Sequence, residues 1–446
     1  MIKLYNSLSN KMEEFHPIRE KQVSIYVCGP TVYNYVHVGN LRPVVVFDVL
    51  RRLLLHLGYE VTFISNFTDI DDKVIAQAKI ENVSEKQIAE KYIKAFEQNR
   101  EDINSLKPTY QPRVTEVMDK IIAFIKALMD KGYAYQVSSG DVYFRVNMIK
   151  DYGALSNMKS NDLIVGARVE ENEEKENPYD FALWKITQEG IRFPSPFGDG
   201  RPGWHTECVV MINSLIEGGR IDIHGGGSDL KFPHHENEIA QEEAYFGHKI
   251  ATLWMHNGFI NIDGVKMSKS LGNVILAKDY LEQLGGNVVR FMLLNTHYRL
   301  PVNFSLELVE SSRKELDKIF SAYNKLCINI QKDADFISST YDEEKINRFV
   351  SALEDDLNTA NAISELYLEV KDINVLLRQN NILNEVKNKH LVTLEKMLEL
   401  LGLKYERRIL TKDEKDLLMQ YDNAKAIKDF VTSDKIRSEL INKKLF

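Results

Sequence analysis

Thiol, imidazole and carboxylate side chains in three separate segments give this chain a candidate metal site. The candidate ligands are Cys28, Cys208, His234 and Glu238. The last two lie near the start of a predicted helix, where their i,i+4 spacing puts them on one face. His235 can also approach Glu238, at i,i+3, so the spacing leaves the choice of histidine open. Two sulfurs, a nitrogen and an oxygen together form a mixed shell that suits zinc.

Each of these residue types also has an ordinary structural role. A free cysteine is commonly a small buried apolar residue, and an acidic helix N-terminus commonly only complements the helix dipole. Cys28 and Cys208 are too far apart for a zinc finger, whose ligands come in close pairs, but they can meet across a sheet. Cys327 lies on an apolar helical stripe, and we interpret it as a core residue.

Residues 31–40 lie between a predicted strand and a predicted helix, where α/β sheets bind ligands. Gly39 would let the backbone approach a phosphate or a ribose, and Asn40 would cap the helix. His37 could donate a hydrogen bond to charge that develops on a phosphate. Alone, the segment could also be a capped turn with an incidental histidine.

Residues 264–272 form a glycine-bounded loop that holds Lys266 and Lys269. Lysines on a mobile loop can close over a triphosphate, where they act as point charges on the leaving pyrophosphate. The alternative is an ordinary solvated basic turn.

Two further segments have residue types that can contact nucleotides or metals. Gly225 and Gly226 follow a predicted strand and would let adenine or ribose approach the backbone closely. Asp69 and Asp72 could suggest magnesium, but we interpret this acidic stretch as the cap of a helix that begins near Lys73.

The apolar pattern predicts that an α/β fold positions these residues. Strands at 24–28 and 59–65 flank a helical pattern at 41–57, which is the rhythm of a doubly wound parallel sheet. The rhythm resumes with helix 205–217, strand 221–224, helix 235–247 and strand 251–256.

Between these halves, residues 133–136 and 141–145 resemble a β-hairpin, and after residue 304 only helical stripes recur. The predicted fold is therefore a Rossmann-like parallel sheet with an inserted connective domain, followed by a C-terminal α-helical domain. The predicted divisions are a catalytic domain at 1–110, an insertion at 111–200, the second catalytic half at 201–304, a helical bundle at 305–402 and a C-terminal segment at 403–446.

Composition limits the classes of function. The 446 residues include 57 Lys and Arg against 65 Asp and Glu, so nucleic acid could contact only local basic patches of a chain whose net charge is −8. The apolar runs are too short to cross a bilayer, and three cysteines do not make a disulfide framework. We therefore expect a cytoplasmic protein with no membrane segment.

The His37-Val-Gly39-Asn40 and Lys266-Met-Ser-Lys269-Ser270 segments resemble the HIGH and KMSKS signatures of class I aminoacyl-tRNA synthetases. The first departs by Val for Ile and Asn for the second His, although Asn40 keeps a hydrogen-bond donor. The segments at 28–34, 66–72, 203–208 and 224–238 resemble, more narrowly, the cysteinyl-tRNA synthetase family, and the likeness runs over almost the whole chain.

This resemblance implies that L-cysteine and ATP form cysteinyl-adenylate and that the cysteinyl group then passes to the 3′-terminal adenosine of tRNA(Cys). It implies one Zn²⁺, bound by the four candidate ligands, that coordinates the substrate sulfur, and Mg²⁺ with ATP. The residues expected to handle ATP are His37, Gly39, Asn40, Gly225, Gly226, Lys266 and Lys269. The residues expected to line the cysteine pocket are Thr68, Trp204 and Asp229.

The expected contacts with the tRNA anticodon end come from the basic residues Lys425, Lys428, Lys435 and Arg437. A solvated amphipathic helix is the alternative for that segment. We expect a monomer without an editing domain. Two rival functions remain: a ligase that joins activated cysteine to an amino sugar, and a non-enzymatic zinc-dependent RNA-binding protein. Residues 305–446 favour the tRNA enzyme over the first rival, and His37 with the lysine loop argues against the second.

Overall fold

The computed structural model describes residues 1–157, 173–262, 264–267, 274–333, 335–379, 382–443 and 445. The strands are β1 (Lys3–Asn6), β2 (Lys11–Glu14), β3 (Gln22–Val27), β4 (Glu60–Ile64), β5 (Ala134–Gln136), β6 (Val142–Phe144), β7 (Phe181–Ile186), β8 (Gly200–Pro202), β9 (Ile221–Gly227), β10 (Ala251–Asn257), β11 (Ile260–Ile262), β12 (Val265–Lys266) and β13 (Val302–Phe304). The α-helices of the first 304 residues are α1 (Leu41–His56), α2 (Asp72–Glu81), α3 (Glu85–Asp102), α4 (Met118–Asp130), α5 (Trp204–Leu215), α6 (Glu236–Phe246), α7 (Ala277–Leu284) and α8 (Gly286–Leu294). The later helices are α9 (Leu306–Asp333), α10 (Glu343–Glu354), α11 (Thr359–Leu376), α12 (Asn384–Leu401), α13 (Lys412–Ala426) and α14 (Phe430–Asn442).

The chain divides into two compact units. One comprises Met1–Gly286 with Tyr298–Phe304, and the other comprises Asn287–His297 with Ser305–Phe446. The five-part division made from the sequence stays a prediction. No helix among the described residues is long and apolar enough to cross a membrane.

A parallel sheet with the order β10-β9-β3-β4 forms the centre of the first unit. Helix α1 packs closely on this sheet at Gly225, where a Cβ would lie only 2.0 Å from the ring of Phe47. Strand β9 is longer than the predicted 221–224, so the glycines that were predicted to follow the strand lie within it. The predicted Rossmann-like α/β fold class is confirmed.

The insertion contains an antiparallel sheet with the order β5-β6-β7-β8. Strands β5 and β6 form the predicted hairpin. Strand β8 ends at Pro202 and leads directly into α5, which carries Cys208, so the insertion sheet fixes where that helix begins. Trp184 of β7 is fully buried and its indole donates to Gly198 O at 3.1 Å.

The second unit is helical, as predicted. Cys327 is fully buried in α9, which confirms its interpretation as a core residue. Residues 405–415 pack against α9: Gln331 donates to Arg408 O at 2.7 Å and accepts from Leu410 N at 2.9 Å. The buried Leu410 and these two hydrogen bonds hold the segment in place. An apolar cluster joins α13 and α14 to α9 through Ile328, Leu410, Leu418, Ile436, Leu440 and Leu445.

Candidate active site and metal centre

The candidate metal ligands come from elements that end or begin at one edge of the parallel sheet. Cys28 follows β3, and its N–H donates to Gly225 O of β9 at 3.3 Å. Cys208 lies in the second turn of α5, while His234 and Glu238 lie on either side of the start of α6. Cys28 and the turn that follows β9 meet here because β3 and β9 are neighbouring parallel strands whose carboxyl ends share one edge, whereas Cys208 reaches the cluster on α5, which follows the insertion sheet.

The four candidate ligands form one cluster, with their ligand atoms within 4.8 Å of one another. The Cys28 Sγ atom lies 3.6 Å from Cys208 Sγ and 3.7 Å from Glu238 Oε1. The His234 Nε2 atom lies 3.7 Å from Cys208 Sγ and 2.9 Å from Glu238 Oε1. Two ligand atoms on one tetrahedral zinc lie about 3.3 to 3.8 Å apart, so three of these four separations already fit a shared ion.

A second set of possible ligands overlaps the first. Cys28 and Glu238 also group with His224 and His235. The His235 Nε2 atom lies 3.3 Å from Cys28 Sγ, and its Nδ1 lies 2.8 Å from His256 Nε2. The His224 Nε2 atom lies 2.7 Å from Glu238 Oε2, whereas Oε1 faces His234 and Cys28. His234 and His235, between which the spacing could not choose, therefore both reach the cluster, His234 at Cys208 and His235 at Cys28.

The cluster is buried, and its charges depend on one another. Burial raises the pKa of the Cys28 thiol, whereas the contact with Cys28 lowers the pKa of Cys208 to about 6. Burial lowers the pKa of His234, but Glu238 and Cys208 outweigh it and raise that pKa to about 10. Burial likewise raises the pKa of Glu238, but His224 and His234 outweigh it and bring that pKa well below its usual range. A cation that binds here would displace the imidazolium proton, as zinc does at such sites.

The second nitrogen of His234 also has a partner. Its Nδ1 lies 3.1 Å from His205 Nδ1. The ring stacks on Trp204 at a centroid distance of 4.0 Å and an interplanar angle of 17°. Metal-binding histidines are commonly oriented through the nitrogen that does not face the metal, and His205 and Trp204 are placed to do this.

Two of the three residues predicted for the cysteine pocket line a cleft beside the cluster. Trp204 and Asp229 line it together with Cys28, and Trp204 is 40 % exposed. Thr68 is buried and its hydroxyl donates to Glu207 Oε2 at 2.6 Å. Burial raises the pKa of Glu207 well above its usual value. Thr68 thus holds Glu207 at the start of α5, and a direct role in the pocket stays a prediction.

The same cleft contains the predicted ATP-binding turn, since His37, Gly39 and Asn40 also line it. The Asn40 side chain does not cap α1, so that expectation was wrong. A 3-10 turn, Val38–Asn40, precedes the helix, and Asn40 Oδ1 accepts the His37 N–H at 3.2 Å instead. The side chain closes this short turn because the turn, rather than α1, starts the helical stretch.

The two predicted nucleotide-binding segments are joined. A Cβ on Gly39 would lie 2.8 Å from His37 Nδ1 and 2.9 Å from Met267 Cε, so a larger residue here would require these side chains to shift. On the other side, Val38 N–H donates to Ile275 O at 3.0 Å. Lys269 lies outside the described residues, and Lys266 is placed by its backbone in β12.

Sequence reasoning missed several residues that surround the cluster. They are Asn66, His205, Glu207, His224 and His256. The Asn66 Oδ1 atom accepts from Gly29 N at 2.9 Å and lies 4.0 Å from Cys208 Sγ. A signal for two of the histidines was available, because His224 and His256 each end a predicted strand, as Cys28 does.

Comparisons with known proteins identify the family of this chain. Residues 14–314 match the family model for the tRNA synthetases class I (C) catalytic domain, and residues 348–406 match the DALR domain. A cysteine–tRNA ligase of Halalkalibacterium halodurans is 44 % identical over 446 residues, which cover 98 % of this chain and 95 % of that protein. A cysteine–tRNA ligase of Staphylococcus aureus strain MSSA476 is 46 % identical, over 99 % of this chain and 96 % of that protein.

Solved structures show the same fold at low identity. A Mycobacterium tuberculosis methionyl-tRNA synthetase in complex with methionyl-adenylate superposes with a TM-score of 0.60 at 16 % identity, covering 90 % of this chain and 91 % of that chain. The cysteine–tRNA ligases match this chain over nearly its whole length, and the catalytic-domain family model spans most of it. This chain is therefore an enzyme of the cysteine–tRNA ligase family, within the class I tRNA synthetases.

Proposed function

We propose that this enzyme activates L-cysteine with ATP and transfers the cysteinyl group to the 3′-terminal adenosine of tRNA(Cys). The observation that carries the proposal is that one cleft joins the cluster of candidate metal ligands, through Cys28, to the turn that contains His37. In the first step the cysteine carboxylate attacks the α-phosphorus of ATP, and the bond to pyrophosphate breaks. In the second step the terminal ribose hydroxyl attacks the cysteinyl carbonyl, and AMP leaves.

We propose Cys28, Cys208, His234 and Glu238 as the metal ligands. Their donor set of two sulfurs, one nitrogen and one oxygen suits zinc better than the overlapping set with a single sulfur. When bound, zinc would supply a soft Lewis acid that favours the substrate thiolate. His224 would hold the carboxylate of Glu238 through its second oxygen, and His205 would orient His234.

A metal-based choice explains how cysteine is separated from serine. The two amino acids differ by one atom, and a pocket that judges size alone separates such pairs by about 10- to 200-fold. A soft metal prefers thiolate to hydroxyl much more strongly. Trp204 and Asp229 are proposed to complete the cysteine pocket, with Asp229 available to the α-ammonium group.

The phosphate chemistry is assigned to the other end of the cleft. His37 is proposed to donate to the phosphate as charge develops, while Gly39 and Asn40 shape the turn that receives ATP. Lys266 and Lys269 are proposed to stabilise the leaving pyrophosphate, with Mg²⁺ on the phosphates to offset their charge. Gly225 and Gly226 remain proposed contacts of the nucleotide, although Gly225 is already required for packing against Phe47.

Pyrophosphate exchange with metal analysis tests the proposal directly. We expect cysteine-dependent exchange of pyrophosphate into ATP, far weaker exchange with serine, and about one zinc per chain. Charging of tRNA in the same preparation separates the tRNA enzyme from an amino-sugar ligase. Exchange that does not depend on cysteine, or an active protein without zinc, would contradict the proposed mechanism.

The tRNA anticodon end is proposed to contact α13 and α14. Lys425 and Lys428 are exposed near the turn between these helices, where Phe430 and Val431 are 65 % and 84 % exposed. Basic side chains beside an exposed aromatic ring suit unstacked nucleotides. Lys435 and Arg437 are also exposed, on α14.

The three cysteines form no disulfide bond, as expected of a cytosolic protein, and we propose that the enzyme works in the cytosol as a monomer.

A double variant, Lys425→Ala with Lys428→Ala, is expected to raise the KM for tRNA about tenfold and to leave cysteine-dependent exchange unchanged. Loss of two phosphate contacts should also make tRNA binding less sensitive to salt. The slope of the logarithm of the binding constant against the logarithm of the salt concentration should become shallower by about one unit per lysine. The matched control, Lys86→Ala with Lys94→Ala, removes two exposed lysines from α3. Equal effects of both pairs on charging would refute a specific role for the C-terminal helices.

A further inference from the structure

A buried carboxylate lies between two of the proposed metal ligands and points away from them. Glu236 is 1 % exposed, and it separates His234 from Glu238 in the sequence. Its oxygens accept the N–H groups of Gly153 and Ser156, each at 2.9 Å, and the Ser156 hydroxyl at 3.0 Å. A longer contact joins it to the N–H of Leu155 at 3.4 Å. All of these donors are neutral groups of the insertion.

The next residue of α6 is held by the same segment. The Tyr152 hydroxyl donates to Asn237 Oδ1 at 2.5 Å, and Asn237 is 1 % exposed. Residues 152–156 thus bind two consecutive side chains in the first turn of the helix that carries Glu238. We name residues 152–156 the anchor segment.

The turn before α6 explains why an anchor is needed. The turn Lys231–His235 is wide and irregular, and Phe232 within it has non-helical dihedral angles of φ −135° and ψ 132°. His235 at the helix N-terminus makes no side-chain cap hydrogen bond. This departure from helical geometry lies two residues before His234, so contacts from outside the helix help to fix how the turn joins α6.

We propose that Glu236 is a positioning residue of the metal centre, which fixes the first turn of α6 to the anchor segment and thereby sets the spacing between His234 and Glu238. The inference rests on the proposed function, since it concerns how firmly the proposed zinc is held. Glu236 touches neither the metal nor the substrate. It couples the insertion to amino-acid selection through the backbone.

Zinc release from the purified enzyme tests this inference without relying on catalysis. In the Glu236→Gln variant an amide N–H replaces one acceptor oxygen and faces the donors of the anchor segment. We expect a chromophoric chelator to remove zinc about tenfold faster than from the unchanged enzyme, within the range known for residues around metal ligands. The KM for cysteine should rise while the KM for ATP stays the same.

The matched control is Glu243→Gln, which makes the same chemical change at an exposed position of α6. Ser156→Ala serves as a milder second variant, because it removes a single hydroxyl donor. We expect it to speed zinc release by about two- to threefold. The double variant should show less than the product of the two effects, because both changes break one contact.

Backbone amide hydrogen exchange at residues 153, 155 and 156 reports whether the anchor itself has loosened. Faster exchange there with zinc release at the original rate, in both Glu236→Gln and Ser156→Ala, would overturn the inference. If the Glu236→Gln variant does not fold, the Ser156→Ala variant alone tests the inference: faster amide exchange with zinc release at the original rate would overturn it. If the wild-type enzyme never holds zinc, the proposed function is overturned instead. Failure of the proposed function can therefore be told apart from failure of the inference about Glu236.

Discussion

The Cys208→Ser variant is expected to lose its zinc and most of its preference for cysteine over serine. A serine hydroxyl stays protonated where a thiolate would bind, and zinc at a sulfur-rich site depends on thiolate. We expect zinc affinity to fall by more than the roughly 100-fold that changes around the ligands produce. Discrimination should fall toward the roughly 10- to 200-fold that size alone provides. Metal analysis and paired exchange assays measure both effects.

Cys327→Ala is the matched control for Cys208→Ser. Cys327 is as deeply buried as Cys208, but it lies in the helical unit. Its loss should lower stability through a small cavity and leave zinc content and amino-acid preference unchanged. If the Cys208→Ser protein kept one zinc per chain and its preference for cysteine, the proposed ligand set would be wrong.

The His37→Ala variant is expected to separate the phosphate chemistry from the metal chemistry. Removing one donor to a developing phosphate charge typically lowers the rate by about 10²- to 10³-fold. We expect that loss in the rate of adenylate formation, measured by rapid-quench kinetics, with normal zinc content and a nearly unchanged KM for cysteine. The cleft would still bind the amino acid, because the metal ligands lie on other elements.

His16→Ala is a suitable control for His37→Ala, since the His16 side chain is 75 % exposed and lies outside the cleft lining. Its rate of adenylate formation should match that of the unchanged enzyme. Adenylate formation at the full rate in His37→Ala would remove this histidine from the proposed mechanism.

Sheet topology predicts where Cys28 lies, but it does not by itself place Cys208, which lies in α5 after the insertion sheet. Alternating strand and helix patterns predict parallel strands, and the carboxyl ends of parallel strands share an edge. The same logic applies to His224 and His256, which each end a predicted strand, but it gives only their place near the sheet edge and not their partners. Their contacts with Glu238 and His235 depend on side-chain directions that composition does not reveal.

The choice between His234 and His235 could not be made from spacing, for a physical reason. The i,i+4 contact is present, since His234 Nε2 lies 2.9 Å from Glu238 Oε1, but spacing from Glu238 says nothing about which ring faces which cysteine. One imidazole reaches Cys208 and the other reaches Cys28. The expectation for Asn40 was wrong for a different reason, because a 3-10 turn not visible in the residue pattern precedes α1.

The wide sequence separation of the proposed ligands has a consequence for synthesis of the protein. A nascent chain contains the complete proposed ligand set only after Glu238 has left the ribosome, long after Cys28 has emerged. By then the whole inserted sheet, from β5 to β8, has also been made. Contacts that bridge such distances form late in folding. With the proposed ligand set, zinc would bind only after both halves of the catalytic unit have come together, and a truncated translation product that ends before Glu238 would lack one ligand.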